Sequence, residues 1–165
     1  IAIFFLMPIF GINQGTQPIL GFNYGAKQYK RVKQALKLSI TAGTSIALLG
    51  FILTHLFSEQ LILAFNDEPE LIALASKGMQ IWLMALPFVG AQIISANYFQ
   101  AVGKAPKAIF LSLLRQVILL IPFLLIFPKF WGLDGVWYAG PSADFIAFLV
   151  TVILLLRELK NLENK

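Results

Sequence analysis

Five long apolar stretches limit what this chain can fold into more than any other feature. Each is about 20 residues long, which is the length an α-helix needs to cross the hydrocarbon core of a bilayer. We place these helices at about residues 1–22, 35–56, 78–101, 107–127 and 136–156, with a short interfacial helix at about 57–66. The pattern predicts an all-α membrane protein with five transmembrane helices.

The composition supports a membrane protein and argues against several other classes. Hydrophobic residues make up 58% of the chain and charged residues 13%, whereas a soluble domain is nearer half apolar and a quarter charged. The net charge of +5 does not indicate nucleic acid as a partner, because Lys and Arg are confined to short connections. With no cysteine and one histidine, we expect no metal site and no cofactor.

The charges of the connections alternate along the chain and predict its orientation. The 23–37 connection has five basic residues and no acid, whereas the 57–70 connection has four acids and no basic residue. Because Lys- and Arg-rich connections stay in the cytoplasm, we expect a multi-pass protein of the cell membrane with the 23–37 loop and the C-terminus inside. The opening IAIFFLMPIF has no signal-peptide pattern, so we expect a fragment from the C-terminal part of a longer protein.

Polar side chains inside the apolar stretches are the candidates for substrate binding, since each needs a partner where water is scarce. Arg115 and Asp144 are the only charges deep in a predicted span. Each lies roughly 12 Å from its own membrane face at 1.5 Å per residue, so we predict an ion pair. The ion pair could either fix the packing of the helices or take part in a cavity or in proton movement, and the sequence leaves both roles open. The full candidate set is Asn13, Gln14, Gln17, Gln92, Asn97, Arg115 and Asp144.

Prolines and glycines within the spans predict bends and close packing. An interior proline removes one backbone hydrogen bond and kinks a helix, which suits a transporter better than a rigid anchor. We expect kinks at Pro18, Pro87 and Pro122. The glycines at 11, 15, 21 and 25 have the spacing that allows helix backbones to approach in lipid.

Four runs, in this order, resemble the C-terminal half of the multidrug and toxic compound extrusion (MATE) family. They are GINQGTQPILGFNYGAKQYKRVKQAL, LPFVGAQIISANYFQAVGKAPKA, SLLRQVILLIPFLLIFP and GLDGVWYAGPSADF. The resemblance implies helices eight to twelve of a twelve-helix protein, and hence most of one six-helix bundle. It also implies an antiporter that exports amphipathic, often cationic drugs in exchange for protons or sodium ions.

The resemblance also implies partners and a site. The partners are small-molecule drugs, the lipid bilayer and the missing N-terminal half of the same polypeptide, without which the fragment is expected to be inactive. Gln14, Gln17, Gln92 and Asn97 would face a central cavity with aromatic walls from Phe88, Tyr98 and Phe99. Some members carry an acidic cation ligand in the helix that corresponds to 78–101, but this stretch has no acid, which does not favour a sodium site here.

Two other functions compete with drug export, and catalysis does not. A lipid-linked oligosaccharide flippase of the same superfamily would need more cationic residues in its cavity than one deep arginine. A non-transporting membrane assembly subunit would explain the glycines but not the kinks and the buried amides. We expect no enzyme, since the chain has no phosphate loop, no HExxH motif and no Ser/His/Asp set.

Overall fold

The computed structural model describes residues 2–163, and every regular element in that part is helical. Seven α-helices and one π-helical segment follow one another with short connections. They are α1 (Ala2–Gly25), α2 (Tyr29–Leu56), α3 (Ser58–Leu63), α4 (Pro69–Trp82), α5 (Leu86–Ala101), α6 (Ala105–Leu113), the π segment (Leu114–Leu120) and α7 (Ile121–Glu163).

The chain reverses direction at Gly132, within α7. Gly132 has φ 56° and ψ −134°, a conformation that glycine adopts readily and other residues do not. Arg115 and Asp144 are 29 residues apart and yet hydrogen-bonded, whereas a straight helix would separate them by about 43 Å. Residues 105–131 and 133–163 are therefore two antiparallel helices that are joined by a tight hairpin.

By length and composition, two described stretches can cross a membrane, namely Tyr29–Leu56 and Ala105–Leu162. The bent pair of α4 and α5 makes a third if it counts as one broken span. The second stretch has 58 residues, about 87 Å as a straight helix, so the reversal at Gly132 divides it into two legs of span length. α1 has 24 residues, and its crossing, like the count of five spans, stays a prediction.

Two of the three prolines at which we expect kinks lie beside an irregularity of the helices. In place of one helix at 78–101, α4 ends at Trp82 and α5 starts at Leu86 after a 45° bend. Pro87 lies in the first turn of α5, where its missing N–H costs no hydrogen bond. Pro122 is the second residue after the π segment, whose wider turn relieves the clash between the proline ring and the preceding backbone. Pro18 lies inside α1 without a break.

Ion pairs join elements at both ends of the bundle. At one end, Lys77 Nζ of α4 donates to Asp134 Oδ1 and Oδ2 at 2.7 and 2.6 Å. At the other end, Glu158 of α7 is 1% exposed and accepts hydrogen bonds from Lys104 and Lys107. Each pair joins segments that the charge pattern assigns to the same side of the membrane.

The helices α2 and α5 approach each other closely at Gly43 and Gly90. The spacing of the α1 glycines does not predict this contact. A Cβ added to Gly90 would lie 2.5 Å from the Gly43 carbonyl oxygen, so only glycine allows this approach. Of the four α1 glycines, Gly21 lies against the Ala101 backbone. The others have open space around them within this chain, namely Gly11, Gly15 and Gly25.

We expect Gly90→Ala to destabilise the protein by about 1 to 3 kcal/mol, because the added methyl group forces α2 and α5 apart. The measurement is thermal unfolding of the purified full-length parent in detergent. Gly11→Ala is the matched control, since a Cβ there meets nothing within 4 Å and alanine favours the helix. Equal stability of the two variants would contradict the packing argument.

Candidate functional site

The deepest charges of the bundle meet as an ion pair between its last two helices. Arg115 Nε donates to Asp144 Oδ1 at 2.5 Å. The Arg115 side chain is 29% exposed and that of Asp144 is 14% exposed. This contact confirms the ion pair that matching depth predicts, and it neutralises two charges that would be costly to leave alone in an apolar bundle.

Local backbone geometry brings the two side chains together. Arg115 lies in the π segment, which precedes Pro122, and π turns redirect side chains relative to a regular α-helix. Asp144 lies on the returning leg, 12 residues past the Gly132 reversal. The proline-associated π turn and the glycine reversal therefore position one charge each.

Two cavities adjoin the ion pair and share one wall. The larger, of about 360 Å³, is lined by Trp82, Arg115, Gln116, Leu120, Gly140, Ala143 and Asp144. The smaller, of about 170 Å³, is lined by Phe10, Gln92, Ile93, Ala96, Asn97, Leu111, Ser112, Arg115 and Gln116. Arg115 and Gln116 line both cavities.

Polar groups in the smaller cavity include an acceptor without a partner. Gln92 is 3% exposed, and its Oε1 accepts no hydrogen bond from the described residues. Buried polar atoms are nearly always paired, so this oxygen is suited to a water or ligand donor. Among the described hydrogen bonds, Arg115 uses only its Nε, although a guanidinium carries five N–H donors. Gln92 and Arg115 thus both line the smaller cavity and keep hydrogen-bonding groups that the described contacts leave unused.

Four of the seven predicted site residues line these two cavities, and three do not. Gln92 and Asn97 line the smaller one, Asp144 the larger one and Arg115 both. The residues outside them are the α1 amides Asn13, Gln14 and Gln17. The α1 face that packs on α2 instead carries Thr16, whose Oγ1 lies 2.7 Å from Ser39 Oγ. Gln14 is exposed and lies nearly opposite Thr16 on the helix.

The expected aromatic walls are wrong for two of three residues. Tyr98 and Phe99 are fully buried in the core, because they lie on the face of α5 that packs inside the bundle. Phe88 packs against Phe145 and Phe148, with ring centroids 5.4 and 5.1 Å apart. Tyr98 and Phe99 therefore serve packing within this chain, whereas Phe88 is 37% exposed and its place in a cavity wall stays a prediction.

Among the cavity residues that the predicted site lacks are Trp82, Ser112 and Gln116. Gln116 and Ser112 had a sequence signal, since both are polar and lie within one turn of the deep Arg115. Trp82 had none, because its place in the cavity depends on the bend that ends α4. The site as a whole can hold a small polar or charged group between amides, one guanidinium and one carboxylate.

Comparison with known proteins identifies relatives over most of the chain. The family model MatE matches residues 1–126. The uncharacterized transporter YisQ of Bacillus subtilis (strain 168) is 27% identical over 148 residues, which cover 88% of this chain and 32% of YisQ. The multidrug export protein MepA of Staphylococcus aureus (strain NCTC 8325) is 28% identical over 135 residues, 75% of this chain and 30% of MepA. The chain spans about a third of the length of these relatives.

Solved structures share the fold. The MATE multidrug transporter DinF-BH, solved in complex with a ligand, superposes with a TM-score of 0.88 at 42% identity, over 94% of this chain and 35% of that one. The Vibrio cholerae MATE transporter VcmN in its bent form superposes with a TM-score of 0.86 at 21% identity, over 96% of this chain and 36% of VcmN. At that identity, VcmN supports the fold alone.

Proposed function

The chain belongs to the MatE family, and from that premise we propose that it forms part of a multidrug efflux antiporter. The full protein would export amphipathic or cationic small molecules across the cell membrane in exchange for protons or sodium ions. The relatives named for multidrug export and the multidrug transporter solved with a bound ligand support the choice of small organic molecules as cargo.

The observation that carries this proposal is the Arg115–Asp144 pair beside two cavities that polar side chains help to line. An apolar bundle that served only as an anchor would have no use for a partly exposed charge pair, an unpartnered amide oxygen and adjoining space. Polar groups at membrane depth are costly and mark substrate or ion pathways. Here they would contribute one wall of a substrate cavity, of which the other wall comes from the rest of the protein.

The proposed mechanism is alternating access about a cavity near the bilayer midplane. Ion binding would favour one orientation of the two bundles and drug binding the other, since exchange requires differential affinity for the two states. Regular α-helical hydrogen bonding is interrupted in this half at the bend between α4 and α5 and at the π segment before Pro122. We assign the helix bending that accompanies transport to these two places. Pro18, in unbroken α1, is a weaker candidate.

The orientation and the coupling site follow from the charges. The positive-inside rule places the 23–37 loop and the C-terminus in the cytoplasm. No carboxylate lies in α5, so we assign the coupling acid to the absent N-terminal half and give the Arg115–Asp144 pair a secondary role. The fragment alone would accordingly be inactive, since it lacks half of the cavity and the coupling group.

We expect ethidium efflux from energised cells that carry the full-length parent to stop when the proton gradient is collapsed. Collapse of the sodium gradient alone should leave it unchanged. Efflux is followed by the fall in ethidium fluorescence, with cells that lack the gene as the control. Loss of efflux only with the sodium gradient would reassign the ion, and no efflux in any condition would favour the oligosaccharide flippase.

A further inference from the structure

A second concave site lies at the opposite end of the bundle from Asp134, where α1 ends and α2 begins. It is an open cavity of about 610 Å³, which we call the basic cavity. Its wall consists of one loop and the start of α2, closed on one side by Leu162 of α7. The cationic side chains that line it are Lys27, Lys30, Arg31 and Lys33.

Among the described residues that line the basic cavity there is no Asp or Glu. The connection from 23 to 37 contains no acid either. Lys27, Lys30 and Arg31 are exposed, so their charged groups are available to an anion. Arg and Lys side chains that converge on a concavity are the usual recognition elements for phosphate.

Lys27 occupies a backbone position that normally selects glycine. α1 ends in a Schellman turn, in which Gln28 N donates to Asn23 O at 2.8 Å and Lys27 N to Tyr24 O at 3.0 Å. The residue at the centre of this turn is left-handed and is usually glycine, and Lys27 has φ 58°.

The end of α5 provides an internal comparison for this turn. There Lys104 N donates to Phe99 O at 2.7 Å and Gly103 N to Gln100 O at 3.1 Å, and the central residue is Gly103, with φ 76°. The chain thus makes the same turn twice, once with the favoured glycine and once with a strained lysine. Strain that persists at one of two equivalent positions points to a use for the side chain.

The surroundings favour a lipid over a soluble anion. The basic cavity lies at the end of helices whose outer surfaces are apolar, and Phe22, one turn before the loop, is 77% exposed. A ligand here would meet cations at its polar end and apolar helix surface beside it. Clusters of Lys and Arg at the cytoplasmic end of membrane helices attract anionic headgroups.

We propose that the basic cavity binds the phosphate of an anionic phospholipid of the inner leaflet. The proposal goes beyond drug export, and its leaflet assignment uses the positive-inside orientation. Lys30 and Arg31 contact the headgroup from α2, and Lys27 closes over it from the strained turn. The acyl chains lie along the apolar end of α1.

The test is native mass spectrometry of the purified full-length parent, titrated in detergent with phosphatidylglycerol, phosphatidylcholine or inorganic phosphate. Wild-type protein should retain phosphatidylglycerol at least about tenfold more tightly than phosphatidylcholine. Lys30→Gln with Arg31→Gln should weaken phosphatidylglycerol binding about tenfold or more. The matched control is Arg157→Gln with Lys160→Gln, which removes the same charge from exposed residues outside the cavity and should change binding less than twofold.

Lys27→Gly separates binding from folding. Because glycine suits the turn, this variant should unfold at the same temperature as wild type or higher, yet bind phosphatidylglycerol about fivefold more weakly. Equal retention of phosphatidylcholine, an equal loss in both double variants, or unchanged binding by Lys27→Gly would each overturn the proposal. Displacement of the lipid by millimolar inorganic phosphate would identify a free-phosphate site and overturn it as well.

Discussion

Asp144→Asn is expected to lower ethidium efflux by the full-length parent at least about tenfold and to destabilise it by about 2 to 4 kcal/mol. The variant leaves the Arg115 guanidinium without its counter-charge, and a deep charge that has lost its partner is costly. Efflux from cells and thermal unfolding of the purified protein measure the two effects separately. A loss of efflux with unchanged unfolding would assign the pair to the cavity rather than to packing.

Exchange of the two charges decides whether the pairing itself matters. Arg115→Asp or Asp144→Arg alone should nearly abolish folded protein, whereas the double variant should recover part of the expression and efflux. Lys77→Gln is the matched control, because it breaks an ion pair whose side chains are 54% and 35% exposed. Such exposed pairs contribute about 1 kcal/mol or less. A double exchange that recovers neither quantity would contradict the pairing argument.

This ion pair was predictable from the sequence because membrane depth restricts which charges can meet. Arg115 and Asp144 are the only deep charges of two consecutive helices, and each needs a partner. For the amides of α1, which lie outside both cavities, a role in substrate binding stays a prediction. A polar residue in a span can point toward the bundle or away from it, and the spacing of Asn13 and Gln17 does not distinguish the two.

Helix breaks and close contacts were only partly predictable. Proline marks where a hydrogen bond is lost, so the break before Pro87 has a local cause. The reversal at Gly132 and the contact of Gly43 with Gly90 depend on neighbours far along the chain. Single glycines without a repeated spacing carry no signal for such contacts, whereas the repeated α1 glycines suggested contacts that this chain mostly does not make.

The ion-pair cluster of Glu158 with Lys104 and Lys107 could not be predicted from the sequence. Lys104, Lys107 and Glu158 lie in segments whose charges look like ordinary topology signals, and 54 residues separate Glu158 from Lys104. In the structure Glu158 is 1% exposed, against 32% and 43% for the two lysine side chains. The Lys104 ammonium also lies 5.9 Å from the Tyr24 ring centroid. The cluster therefore connects the ends of α1 and α7 with the turn between α5 and α6.

We expect Glu158→Gln to lower the free energy of unfolding by about 1 to 3 kcal/mol. The amide cannot replace two charge-assisted hydrogen bonds, and it leaves two lysines close together without a counter-charge. The partial exposure of both lysines keeps the cost below that of a fully buried pair. Thermal unfolding of the full-length parent, followed by tryptophan fluorescence, measures this loss of stability. The control is Glu68→Gln at an exposed position, which should stay within about 0.5 kcal/mol of wild type.

The pH dependence of the stability difference between wild type and Glu158→Gln tests whether the lysine–glutamate contact causes it. Burial disfavours the charged form of Lys104, but the hydrogen bond and the charge of Glu158 outweigh burial and raise the pKa of Lys104 above its ordinary value of 10.5. A raised lysine pKa stabilises the folded state fully below that ordinary value, and the stabilisation is lost as the pH rises through the raised pKa. The gap between wild type and Glu158→Gln should therefore stay constant from neutral pH to about 10 and shrink only above it. A gap that already closes between about pH 7 and 9 would show that the lysine–glutamate contact is not what stabilises this end of the bundle.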